Sequence, residues 1–408
     1  MSKNIKYIEV KNAFFIGVLS AVAYLACYFA KNILSVITPQ MVDKSGITVE
    51  FIGTISTANM FCYAGGQLIN GIIGDKVKAK YLVSVGLFFA GICNWFVPFG
   101  DAIVMIAAYS LSGFFLSMLY SPLVKLIAEN MHPVYAMRCC LGLTFASLFG
   151  VPAAGVIALF FKWENVFRLC GGILILLGIL CFSILSLFEK RGIVKYRVME
   201  NKEKKIRSIK VLLEHSIVKF TLVSVLTGIV RASVVFWVPT YLSQYLGFSA
   251  GTAATIFTVM TFVQSVSPYV NNLIIYERIL KRNINRMLLL TFSLSTISFF
   301  MMYAVHNSMI NIVFLLLALM SSNGASEMLW SVYCPSLRDT GMVSSATGYL
   351  DFMSYVAAGA ANLLFANAIS QIGWGNLILV WAAFMLVGVI FSLPLKIKSE
   401  RIQKKEHF

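Results

Sequence analysis

The sequence predicts an all-α integral membrane protein with twelve transmembrane helices in two pseudo-symmetric six-helix bundles. Three observations carry that prediction. The chain has 408 residues, of which 59% are hydrophobic and 12% charged. It divides into apolar segments long enough to cross a bilayer. Several of its features recur about 200 residues apart. A soluble fold needs far more polar surface, which excludes soluble enzymes, nucleic-acid binders and secreted disulfide scaffolds as classes.

At ~1.5 Å rise per residue, a hydrocarbon core of ~30 Å requires ~20 apolar residues. Twelve segments meet that length: 12–37, 51–74, 81–100, 102–128, 137–161, 167–188, 216–241, 251–275, 287–305, 309–335, 343–370 and 375–395. Pro98, Gly100 and Asp101 alone separate the third from the fourth. Backbone groups in hydrocarbon must be paired within a helix or a closed barrel, and the sequence lacks the short alternating strands of a barrel. The segments are therefore helices.

The net charge of +16 would suggest nucleic acid, but the placement of the charges does not. With both termini inside, 26 of the 33 Lys and Arg fall on the cytoplasmic side, and only Lys44, Lys162 and Arg168 lie outside. That asymmetry follows the positive-inside rule. The expectation is a multi-pass protein of a bacterial plasma membrane with both termini cytoplasmic, acting as a monomer, with the lipid bilayer rather than nucleic acid as its partner.

The hydrophilic stretch 189–215 divides the chain into an N-terminal six-helix bundle (1–188), a cytoplasmic basic linker (189–215) and a C-terminal six-helix bundle (216–408). The halves repeat one another. Lys31 precedes Pro39 by eight residues, as Arg231 precedes Pro239. Asp75-Lys76 matches Glu277-Arg278, Lys80 matches Arg282, and Trp163-Glu164-Asn165 matches Trp374-Gly375-Asn376. This is the pattern of a parallel duplication.

The loop from Gly71 through Asp75 and Lys76 to Lys80 resembles the G-x-x-x-D-R/K signature of the major facilitator superfamily, with Lys in place of each usual Arg. Within it, the chain is similar to the organophosphate:phosphate antiporters, the glycerol-phosphate and hexose-phosphate permeases. Ala30-Lys31-Asn32, Ser121-Pro122, Lys125, Gly150-Val-Pro152 and the run from Arg231 to Tyr241 carry that similarity, with Ala346-Thr347-Gly348 and Gly373-Trp374. The resemblance implies a substrate-contacting role for Arg231. The chain departs from the family at Ala30, where an Arg is usual, at Phe145, where a His is usual, and at Phe236, where an Asp is usual. A site short of one cation and one proton donor favours a monoanion or a bulkier organic anion over a phosphate dianion.

Five charges lie well inside apolar segments: Lys31, Lys125, Arg231, Glu327 and Asp351. Each costs roughly 2.5–3.5 kcal/mol on insertion scales if unpaired, so each needs a partner or a wet cavity. The duplication places Lys31 and Arg231 at matching depths on opposite walls of a central cleft, a clamp for an anion. The alternative is that Glu327 or Asp351 neutralises them permanently. Tyr24, Tyr28 and Lys31 share one helical face at i, i+4 and i+7, and Asp351 with Tyr355 forms a second polar-aromatic pair. Lys125 is expected to pair with Glu327 or Asp351 as a cytoplasmic gate.

The sequence contains no nucleotide loop, metal-ligand cluster or nucleophile constellation, so neither enzyme activity, cofactor nor metal is expected. The reading is a secondary active transporter that moves a small organic anion, a sugar phosphate or carboxylate, by alternating access and exchange. Inorganic phosphate or a proton is the coupled species. Two alternatives stand beside it: a proton symporter using Glu327 and Asp351, and a transporter-like membrane sensor of the same anion.

Overall fold

The structure, a computed structural model, describes residues 8–45, 47–196, 209–305 and 307–393. The basic residues expected in both tails beyond these limits, and Arg197, Lys202, Lys204, Lys205 and Arg207 of the linker, lie outside the described residues.

The first half consists of α1 (Val10–Ser45), α2 (Val49–Lys76), α3 (Ala79–Phe96), α4 (Ala102–Leu116), α5 (Tyr120–Asn130), α6 (Pro133–Phe160) and α7 (Trp163–Lys190). The short α8 (Ile209–Glu214) leads into the second half: α9 (Ile217–Gly228), α10 (Val235–Gln244), α11 (Ala250–Tyr269), α12 (Ile284–Ala304), α13 (Ser308–Glu327), α14 (Cys334–Ser336) and α15 (Val343–Ser392). Ten spans among the described residues are long and apolar enough to cross a membrane. The second helix and the leading arm of α15 complete the twelve. Their hydropathy is diluted by buried polar side chains, Asn59, Gln67 and Asn70 in α2 and Ser344, Thr347, Asp351 and Ser354 in α15. These two helices pack along each other across the halves, so their polar faces meet protein rather than lipid.

The interruptions have local causes. Between α3 and α4, a 3₁₀ turn at Val97–Phe99 leads to Asp101, which accepts a hydrogen bond from Val104 N at 3.0 Å and caps α4. The fourth span bends between α4 and α5, where the Ser117 hydroxyl donates back to Phe114 O at 2.6 Å and Pro122 lacks an N–H donor. α15 is two arms joined at Gly373 (φ 74°), a backbone angle that glycine adopts without a Cβ penalty. Three i→i+5 segments, Ile229–Val234, Val270–Ile279 and Met328–Tyr333, widen the second half. Pro239 and Pro335 follow the first and third, where a proline disrupts the normal i→i−4 ladder.

Large apolar side chains cover the outer surface, with Phe61 75%, Ile103 77% and Phe160 77% exposed, as suits lipid as the solvent. Inside, amides and hydroxyls join the helices. Asn59 donates to Tyr109 O (2.6 Å), Asn70 to Ser117 Oγ (2.7 Å) and Asn94 to Ser112 Oγ (2.6 Å) in the first half. Ser295 donates to Ala318 O (3.1 Å) and Asn311 to Met302 O (2.8 Å) in the second. Such bonds replace the hydrophobic drive that is missing between helices in lipid.

The halves meet at the end that carries the 76–80 loop, here termed the basic end. α6 packs on α11, and Arg138 lies 3.8 Å from Glu277. α2 approaches α15 through glycines: a Cβ at Gly71 would lie 2.9 Å from Gly348 Cα and 3.0 Å from Ser344 O. Gly71→Leu should therefore overpack this crossing by about 1–3 kcal/mol and lower the thermal unfolding midpoint in detergent. Gly53→Leu, where a Cβ meets nothing within 4 Å, should leave it unchanged.

Candidate functional site

α1 brings Tyr24, Tyr28 and Lys31 to one face, as their spacing predicts. The Tyr24 and Tyr28 rings meet edge-on at 5.1 Å. Lys31 Nζ donates to the Tyr355 hydroxyl, which lies 3.4 Å from that of Tyr28. The ammonium also sits 3.6 Å from the Tyr63 ring centroid, 4.0 Å from that of Tyr355 and 5.2 Å from that of Tyr28. Three π-faces thus surround the Lys31 charge, an arrangement that stabilises a desolvated cation.

Arg231 lies in the i→i+5 segment between α9 and α10, where the widened turn carries its guanidinium inward. Its Nη2 is 3.8 Å from Asp351 Oδ1, and its Cζ is 6.0 Å from the Tyr355 ring. The two cations expected on opposite walls therefore meet at a common neighbour, Tyr355. Asp351 is the carboxylate nearest Arg231, and the Tyr355 hydroxyl accepts from Lys31.

Beside this cluster lies a small, partly open cavity. Arg231, Asp351 and Glu327 supply its charges, Tyr24, Tyr120 and Trp330 its aromatic surface, and Thr144, Ser147, Asn323 and Ser326 its hydrogen-bonding groups. Glu327 is 1% exposed. Its Oε2 accepts from Asn272 at 3.1 Å, while its Oε1 has no hydrogen-bond partner among the described residues.

The expected pairing of Lys125 with Glu327 or Asp351 is not made. Lys125 Nζ donates to Gly74 O and Asp75 O, both at 3.0 Å, and lies 3.9 Å from Glu129 Oε1. The last carbonyls of a helix lack intrahelical donors, and the ammonium supplies one at the end of α2. Asp75 serves the opposite terminus of a different helix. Its carboxylate accepts from Ser344 N (3.0 Å) and Ser345 N (2.9 Å), capping α15 from the other half of the chain. Lys76 is exposed and takes no part in this contact. Its neighbours Lys78 and Lys80 pair with Glu189 at 2.5 and 2.6 Å.

Sequence reasoning did not find Tyr63, Tyr120, Trp330 or Asn272. Trp330 could have been found at i+3 from Glu327, and the Asn271-Asn272 pair stands out within an apolar segment. Tyr63 and Tyr120 carry no such signal, because a tyrosine in a membrane helix is ordinary packing until its neighbours are known. Of the three departures from the antiporter pattern, Ala30 is fully buried, Phe145 stacks on Phe149 at 5.5 Å, and Phe236 is 64% exposed.

The family model described as Major Facilitator Superfamily matches residues 20–362. Among curated relatives, the glycerol-3-phosphate transporter of Bacillus subtilis is 22% identical over 269 residues, 60% of each chain. The membrane sensor protein UhpC of Escherichia coli is 23% identical over 268 residues, 59% of this chain and 60% of that one. A probable hexose phosphate transport protein of Chlamydia pneumoniae is 25% identical over 132 residues, 32% of this chain and 28% of that one. The chain thus matches less than two thirds of the length of these relatives. Solved structures with the same fold include FucP (TM-score 0.73, 13% identity, 93% of this chain and 98% of that one). The human organic anion transporter MFSD10 (TM-score 0.72, 12% identity, 94% and 99%) is another.

Capping by a carboxylate across two halves has a measurable signature. Asp75→Asn should lose both the charge that complements the α15 dipole and one of the two acceptor oxygens, weakening the cap by at least about 1 kcal/mol. Hydrogen exchange should quicken selectively at the amides of Ser344 and Ser345, while exchange within α12 stays unchanged.

Proposed function

We propose, on the premise that the chain belongs to the Major Facilitator Superfamily, that it is a secondary transporter of a small organic anion, a phosphate monoester or carboxylate. Proteins of this family move solutes and are not enzymes. The observation that carries the substrate class is the convergence of Lys31 and Arg231 on Tyr355 beside a cavity lined by hydroxyls and aromatic rings. Arg231 offers a planar fork that binds a carboxylate or phosphate through two hydrogen bonds, and Lys31 adds a point charge. The glycerol-3-phosphate and hexose phosphate relatives favour a phosphate-bearing anion.

In the working cycle, the arriving acid group displaces Asp351 from Arg231, and departure restores that pair. A carrier whose empty site is neutralised internally suits exchange, with inorganic phosphate or a second organic anion returning. Proton symport through Asp351 or Glu327 is the competing coupling. The positive-inside rule assigns the basic end to the cytoplasm, so closure there by Asp75, the Gly71–Gly348 crossing and Arg138–Glu277 corresponds to a carrier facing outward. Opening inward then requires the α15 cap to break. Both halves rock about the central site.

Likeness to UhpC favours a second reading, a membrane sensor that binds the same anion without carrying it. Uptake of radiolabelled glycerol phosphate into proteoliposomes loaded with phosphate separates the two. The transporter reading expects accumulation that Arg231→Ala reduces at least a hundredfold and Arg231→Lys only partly. Binding without flux supports the sensor, and uptake that survives Arg231→Ala removes the anion clamp.

A further inference from the structure

Glu327 has a feature that an anion site alone does not require. Among the described residues, no Lys or Arg makes an ion pair with it, although it is 1% exposed and lines the same cavity as Arg231. Asn272 satisfies one carboxylate oxygen with Asn271 beside it, and among the described residues the other oxygen meets no hydrogen-bond partner within bonding geometry. On the preceding turn of α13, the Nδ2 of Asn323 is also buried, with no hydrogen-bond partner among the described residues. An ionised carboxylate in a low-dielectric site is strongly destabilising unless it takes up a proton or a positive charge reaches it.

The surroundings of Glu327 suit such a charge. Trp330, three residues further along, lines the cavity with its indole fixed by a hydrogen bond from Nε1 to Ser326 Oγ at 2.9 Å. Tyr120 meets Trp330 edge-on at 5.6 Å and stacks on Tyr24 at 5.0 Å, and both tyrosines line the same cavity. A carboxylate beside several aromatic faces attracts an ammonium group through Coulomb and cation–π interactions together. The opposite charge requirement exists at Arg231, whose only carboxylate partner among the described residues, Asp351, lies at 3.8 Å and is poorly engaged.

We propose that the substrate is a zwitterion: its acid group binds Arg231 and its ammonium group occupies the pocket formed by Glu327, Trp330, Tyr120 and Tyr24. This rests on the assignment of the acid group to Arg231 and adds a second, oppositely charged subsite to the same cavity. Asn323 presents its free amide N–H to an oxygen of the substrate between the two ends.

The test compares three probes by calorimetry on the purified full chain: phosphoethanolamine, glycerol phosphate, which has the ester but no ammonium, and ethanolamine, which has the ammonium but no acid. The wild type should bind phosphoethanolamine at least tenfold more tightly than glycerol phosphate. Glu327→Gln, which keeps an acceptor for Asn272, should abolish that preference, so that phosphoethanolamine and glycerol phosphate bind within about twofold of each other, a difference well below the 1.4 kcal/mol of a tenfold effect. Trp330→Leu should erode the same preference and serves if Glu327→Gln does not fold. Glycerol phosphate bound through Arg231 with no preference for phosphoethanolamine overturns the ammonium pocket and leaves the anion reading standing. Ethanolamine bound through Glu327, with no binding of glycerol phosphate and no loss of phosphoethanolamine binding on Arg231→Ala, keeps the pocket and overturns the anion reading. Binding of none of the probes overturns both. A preference that survives both substitutions, or a Glu327→Gln defect confined to pH-driven uptake, overturns the pocket and assigns the carboxylate to other work.

Discussion

Asp75 joins the halves of the chain where their alignment matters most. The first N–H groups of α15 point into a protein interface, and leaving them unpaired there would cost about 1–3 kcal/mol each. A carboxylate from α2 takes two of them at 3.0 and 2.9 Å. Lys125 in turn takes the carbonyls of Gly74 and Asp75, so one helix end is bonded through its side chain and its backbone at once. Glycines at 71 and 348 allow the two helices to approach closely enough for this contact. Seven residues beyond Ser344, or ~10 Å along the helix, stands Asp351, with Tyr355 one turn further. The position of the central charges is thus inherited from the cap.

Four intramembrane charges find four kinds of partner. Arg231 takes a carboxylate, Lys31 a set of aromatic faces, Lys125 backbone carbonyls and Glu327 an amide. These partners differ in how readily they yield. Backbone carbonyls at a helix end are fixed, so Lys125 is held firmly at the end of α2. A 3.8 Å ion pair and a cage of tyrosines are looser and leave Arg231 and Lys31 able to exchange partners. The division between structural and exchangeable charge follows from the partner more than from the residue type.

Much of this arrangement was legible in the sequence. Apolar length gave the spans, and even the slender break at Pro98, Gly100 and Asp101 corresponds to a turn and a capped helix start. The i, i+4, i+7 spacing gave the Tyr24–Tyr28–Lys31 face, and the match of Lys31 with Arg231 pointed to the central cluster. Partner choice was less legible. Lys125 could have reached a carboxylate or a helix end, and only the rotation of α5 against α2 decides. Tyr63 and Tyr120 are invisible for a related reason: a tyrosine in lipid-facing sequence has the same letter whether its ring packs on leucine or on an ammonium. Widened turns escape sequence reading altogether, because the period that reveals a helix assumes uniform hydrogen bonding.

Those widened turns divide the molecule unequally. Among the described residues, every i→i+5 segment belongs to the second half, and the three carry Arg231, the Asn271–Asn272 pair and Trp330. A turn of this kind can absorb the gain or loss of one residue, which rotates the helix beyond it by ~100° without breaking it. Side chains that address the cavity from this half can therefore be swapped for their neighbours by a single insertion or deletion, with the first half and its Asp75 cap left in register. The surface that faces the cavity is thus free to diverge in the second half of a duplicated chain while the contact that aligns the two halves is inherited unchanged.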